Sequence, residues 1–127
     1  MTLLPPRYVK VYGGREKYML EATPQILDDM DFYLPERGAA RKMARYFALF
    51  ADSTRLMVLS ALSISPLCVT DICSVLHLNQ TTVSHQLRIL RDMEAVTCER
   101  QGKILKYKIS NPKINELLLV GAECAGF

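Results

Sequence analysis

The stretch Asp71–Met93, DICSVLHLNQTTVSHQLRILRDM, admits few folds. Asp71–His77 carries Ile72, Val75 and Leu76 at helical spacing, and Leu78 and Asn79 break the pattern. Asn79 can then cap a second helix, its side-chain oxygen taking the free amide of Thr81 or Thr82. In that helix Val83, Leu87 and Leu90 make one apolar stripe. The other face presents Gln80, Thr81, Ser84, His85, Arg88 and Arg91, with no acid before Asp92. A short helix with an apolar back and a polar, acid-free front is what a DNA major groove accepts.

The flanks fit that placement. Val96–Arg100 and Ile104–Ile109 read as two short strands around Gln101-Gly102-Lys103, and glycine in the connection signals a hairpin. A hairpin directly after such a helix is a wing. Arg100 and Lys103 at its tip can rest on phosphate or in the minor groove. Upstream, Thr23-Pro24 opens a helix over Gln25–Tyr33, with Ile26, Leu27, Met30 and Phe32 for packing, and Leu34-Pro35 ends it. Glu36–Ala51 reads as the next helix, with Ala40, Met43, Ala44, Phe47 and Phe50 on one side. Asp52 can cap Ser53–Ile64, where Leu56, Leu59, Ala61 and Leu62 are expected to be buried. Arg55 in its first turn gains nothing from the helix dipole, so an ion pair or a phosphate is its expected partner. Ser110 or Asn111 caps a last helix that starts with Pro112 and carries Ile114, Leu117, Leu118, Val120 and Gly121. A small domain cannot bury both this helix and the Met43/Phe47/Phe50 face, which points to a symmetric dimer. The expected fold is mainly α with a small β-hairpin: a winged helix-turn-helix dimerising through its N- and C-terminal helices. Residues 1–35 are expected to be an arm with a short helix, and 36–127 the DNA-binding and dimerisation domain.

At 127 residues and 50% apolar composition the chain can build one real core. A net charge of +3 says little, but Gln80–Lys108 holds six Lys/Arg against three acids. No apolar run approaches the ~18–20 residues of a spanning helix, and MTLLPPRYVK lacks a signal-peptide pattern. The expectation is a cytoplasmic protein without membrane contact. Cys68, Cys73, Cys98 and Cys124 are then thiols or ligands rather than disulfides. No phosphate-cradling glycine loop and no His-x-x-x-His pair is present. Ser84 and His85 are adjacent on a helix, so their side chains diverge by about 100° and do not make a nucleophile–base pair. An enzyme is not expected. A winged helix used for protein contact alone would tolerate acids or large apolar residues on the face that here has none.

Four segments together resemble the ArsR/SmtB family of winged-helix repressors: FALFADSTRLMVLSAL (Phe47–Leu62), LCVTDIC (Leu67–Cys73), LNQTTVSHQLRILRDMEAV (Leu78–Val96) and GKILKYKIS (Gly102–Ser110). The likeness covers about Ala40 to Val120. It implies a homodimer on double-stranded operator DNA with an inverted repeat, released when an inducer binds. Gln80, Thr81, Ser84 and His85 match the family's DNA-contacting positions, and helix geometry adds Arg88.

LCVTDIC resembles the thiolate motif of the arsenic- and cadmium-type sensors, with Cys68 and Cys73 as candidate ligands for arsenite or another thiophilic metal ion. Threonine stands at position 70, where the arsenic-type motif has a third cysteine. On one regular helix Cys68 and Cys73 point about 140° apart. A Thr70 cap, with Cys68 before the helix, lets the sulfurs converge. Asp71 is a weaker oxygen candidate. Three alternatives stay open: cysteines as small packing residues, a redox or sulfur switch between two of the four thiols, and a regulator with no metal ligand. The family's other site, on the C-terminal helix, maps onto Asn111, Lys113, Cys124 and Phe127, which cannot rebuild a zinc site.

Overall fold

The computed structural model describes residues 22–127. The expected arm over the first residues therefore lies largely outside the described part. The chain falls into two units, Met1–Ala40 and Arg41–Phe127. Among the described residues six helices and one hairpin follow in order: α1 (Pro24–Tyr33), α2 (Arg37–Phe47), a 3-10 turn (Ala48–Phe50), α3 (Ser53–Ile64), α4 (Val69–Leu76), α5 (Gln80–Asp92), β1 (Val96–Gln101), β2 (Ile104–Ile109) and α6 (Pro112–Cys124).

Local chemistry starts these helices. The side chains of Thr23, Asp52, Asn79 and Asn111 accept from the backbone N–H of Ile26, Arg55, Thr82 and Lys113, and Pro24 and Pro112 open their helices. Helix α1 buries no residue: Ile26, Met30 and Phe32, expected to pack, are exposed within their unit. The expected single helix Glu36–Ala51 is instead α2 followed by the 3-10 turn, because Ala51 N–H bonds Ala48 O and the chain tightens before Asp52. Arg55 explains the turn: it has the expected ion pair, with Asp52, and two backbone carbonyls in addition. Its guanidinium donates to Ala48 O at 2.7 Å and Leu49 O at 3.0 Å, while the Asp52 carboxylate is 3.9 Å away. A cation on these terminal carbonyls has the favourable sense of the helix dipole.

The core of the second unit is Leu49, Val58, Leu59, Leu62, Ile72, Val83, Leu87, Leu90, Ala95, Val96 and Ile114. It joins α3, α4, α5, β1 and α6 around one cluster. Each of its large side chains contributes about 1.5–3 kcal/mol relative to exposure. Leu56 is half-buried rather than buried, and Val75 is exposed.

Two left-handed residues, neither of them glycine, set the corners. His77 (φ 55°) ends α4, with Leu78 N–H returning to Cys73 O. Glu94 (φ 59°) ends α5: Ala95 N–H reaches Leu90 O at 2.8 Å and Glu94 N–H reaches Arg91 O at 3.0 Å. That pairing is a Schellman motif, with Leu90 and Ala95 buried beneath it. A non-glycine residue costs about 1 kcal/mol in this conformation. Glu94→Gly is therefore expected to raise the thermal midpoint by a few degrees. A lower midpoint in calorimetry contradicts this reading of the corner.

The hairpin pairs Val96 with Ile109 through Gln101 with Ile104, leaving a two-residue turn, Gly102-Lys103. Gly102 takes φ +65°, the sign required at the first position of a II′ turn. The first strand thus runs one residue further than the sequence suggests. A third piece joins the sheet: Leu67 and Tyr107 exchange both backbone bonds, at 3.1 and 2.8 Å.

Candidate nucleic-acid interface and thiol site

Val83, Leu87 and Leu90 are 0, 2 and 0% exposed, so α5 cannot rotate about its axis without losing its seat in the core. This locks the opposite face outward. Gln80, Thr81, Ser84, His85 and Arg88 are all exposed and line one continuous surface. Within the described chain no hydrogen bond engages the side chains of Ser84, His85 or Arg88. They present unused donors and acceptors, and Gln80 and Thr81 lie in the first turn, where a groove-bound helix meets base edges. Arg100 on β1 and Lys103 in the turn are exposed on the hairpin.

Tyr107 has no place in this region on sequence grounds, and Arg91 is on the polar face of the helix without an assigned contact. Ser84, Leu87, Arg88, Arg91, Asp92 and Tyr107 line one concavity between α5 and β2. Tyr107 sits in β2 opposite Cys98. Burial, and then the Cys98 thiol beside it, raise the phenol above its ordinary 10.0, while the Arg91 guanidinium acts in the lowering sense. Tyr107 therefore stays protonated, and able to donate, across the neutral range. The side chain reaches this concavity because the wing folds back on α5, a long-range arrangement with no local signal.

The four cysteines are all free thiols. Helix α4 starts earlier than the sequence suggests, so its cap is Cys68 and not Thr70. The Leu67–Tyr107 bridge fixes this, delivering the chain to the helix entry at residue 68. Cys68 Sγ donates to Asp71 Oδ2 at 3.1 Å, and Asp71 is the acid of the first turn. Cys73 is half-buried and packs against the core. Among the described residues no group of three or more His, Cys, Asp or Glu is placed to hold a metal ion. Asn111 and Lys113 serve the fold: Asn111 caps α6, and Lys113 pairs with Glu116 at 3.2 Å.

A second surface is apolar. Phe47, Phe50, Leu56, Leu117, Leu118 and Val120 line a cleft of about 550 Å³. Met43 and Phe47 beside it are 51 and 52% exposed.

A helix-turn-helix with an antiparallel wing, its second helix carrying an exposed acid-free face, defines a winged-helix DNA-binding regulator. Residues 52–97 match the model of the bacterial regulatory protein, arsR family. The chain is similar to the transcriptional repressor SmtB homolog of Synechocystis, with 37% identity over 78 residues covering 61% of this chain and 59% of that protein. It is similar to the HTH-type transcriptional regulator NmtR of Mycobacterium tuberculosis, with 36% identity over 80 residues covering 63% and 67%. The chain thus spans about three-fifths to two-thirds of the length of these two relatives. Among solved structures, the AntR antimony-specific transcriptional repressor superposes with a TM-score of 0.68 at 29% identity, covering 84% of this chain and 95% of that one. The chain belongs to the ArsR/SmtB family of transcriptional regulators.

Proposed function

We propose that the protein is a cytoplasmic, homodimeric repressor that binds operator DNA and leaves it when a soft metal or metalloid of the arsenite type binds cysteine thiolates. The exposed face of α5, held outward by three buried leucine and valine side chains, carries the DNA-binding part. Gln80, Thr81, Ser84 and His85 read the groove, Arg88 supports them, and Arg100 and Lys103 hold phosphate from the wing. The apolar cleft supports the dimer: a second copy covers the exposed α2 and α6 surface, and two-fold symmetry matches an inverted repeat.

Cys68 and Cys73 are the proposed ligands. Soft thiolates suit trivalent arsenic and related ions. Cys68 lies at a helix N-terminus and is partly accessible. The donor set present is two sulfurs with the Asp71 carboxylate bonded to one of them, so a third strong ligand would come from outside the described chain or from solvent. Relatives named for repression of arsenical resistance operons and for cadmium resistance support this ligand class. Coupling has a direct route, because Cys68 follows the residue bonded to the wing strand at Tyr107. About 3 kcal/mol along it would weaken DNA binding more than a hundredfold.

The test is an anisotropy titration of reduced protein on its own promoter DNA with arsenite added stepwise, beside Cys68→Ser and Cys73→Ser. Release in the parent that fails in both variants is the expected result. Binding that ignores arsenite but ends on oxidation moves sensing to a thiol switch and overturns the metal part.

A further inference from the structure

We propose that Arg88, Arg91 and Tyr107 form one seat for a phosphodiester of the DNA backbone, at the junction of α5 and the wing. The proposal rests on the DNA-binding reading above and adds two residues to it. Arg88 and Arg91 are three apart on α5 and therefore neighbours on its surface. Both are exposed, and among the described residues neither has a carboxylate oxygen within 4.0 Å. Asp92 lines the same concavity without pairing with either.

The concavity runs from Ser84, on the proposed base-reading face, to Tyr107 on the wing strand. A duplex whose major groove holds the front of α5 carries its sugar–phosphate backbone along this flank. Two guanidinium groups and a phenolic O–H are the donors that such an oxygen-rich anion takes.

Tyr107 is also fixed in place. Its backbone is paired to Cys98 on one side and bonded twice to Leu67 on the other. A donor held this way loses little freedom when it binds. The competing explanation for Arg91, a cation placed for the dipole in the last turn of α5, accounts for its position. It does not account for a second arginine and a protonated phenol around the same hollow.

The experiment measures anisotropy of the full chain on its promoter duplex and on an unrelated duplex, between 50 and 200 mM salt. Arg91→Gln is expected to lower affinity for both duplexes by about tenfold at low salt and to reduce the salt slope by about one. Arg91→Lys is expected to keep the slope. Tyr107→Phe is expected to lower affinity for both duplexes about threefold to tenfold with the slope unchanged, since no charge is removed. Because Arg91 is exposed, its variants test the seat even if a Tyr107 variant unfolds.

Unchanged affinity and slope in Arg91→Gln overturn the seat, provided Ser84→Ala/His85→Ala has lost operator binding in the same assay. A change of sequence preference alone makes Arg91 a base reader and also overturns it. Competition by millimolar inorganic phosphate at constant ionic strength, seen in the parent and absent in Arg91→Gln, assigns the hollow to a free anion instead. A parent chain that binds neither duplex fails the underlying DNA-binding reading rather than the seat alone.

Discussion

Ser84→Ala combined with His85→Ala is expected to cost at least about a hundredfold in affinity for the promoter duplex, with thermal stability and self-association unchanged. Both side chains are exposed and make no hydrogen bond within the described chain, so the fold loses nothing with them. A good contact to a base edge is worth about 1–3 kcal/mol, and tenfold in affinity is about 1.4 kcal/mol. Two such contacts in each protomer reach the stated loss readily. Affinity for unrelated DNA, which rests on phosphate contacts, is expected to change far less. Anisotropy on matched and unrelated duplexes reads both quantities. An unaltered affinity for the promoter would remove this face of α5 from recognition.

Phe47→Glu is expected to give the second large effect. The ring lies half-exposed beside Phe50, Leu117 and Val120 on the apolar cleft. In a dimer each protomer would bury the new carboxylate against apolar carbon, and an unpaired buried charge is strongly disfavoured. Dimer dissociation constants are expected to rise at least about a hundredfold, near 3 kcal/mol. The folded monomer should survive, because Phe47 is outside the buried core. Sedimentation velocity would show the shift to monomer. Operator binding would fall with it, since a single recognition helix engages one half-site. A variant that stays dimeric places the interface elsewhere.

Much of the fold was legible because its signals are local. The Asn79 cap, the Val83/Leu87/Leu90 stripe, the glycine at the hairpin and the Asn111-Pro112 start each act within a few residues. What escaped was set at a distance or against local preference. Leu78-Asn79 marks the break after α4, but Glu94 and His77 turn the chain in a conformation where glycine is usual, so the sequence does not mark the residues that make the turns. Leu67 joins the wing strand as a single bridge, and the cap of α4 falls at Cys68, directly after it. Arg55 bonds backbone carbonyls as well as pairing with Asp52, because the 3-10 turn brings Ala48 and Leu49 beneath it.

The candidate site divides the same way. The front of α5 follows from helical period alone, since burying Leu87 exposes Ser84 and His85. Tyr107 joins Arg88 and Arg91 only when the wing folds back. For the thiols, spacing left two arrangements. The structure puts Cys68 at the cap, bonded to Asp71, and Cys73 on the core side.

The most direct test of the DNA-binding face is a map of amide shifts in the labelled protein as promoter DNA is added. The expected result is perturbation concentrated at Gln80–Arg91 and at Arg100–Tyr107, with the apolar cleft of Phe47, Leu117 and Val120 silent. Perturbation confined to that cleft, with α5 unmoved, would contradict recognition through the helix that the rest of the domain holds outward.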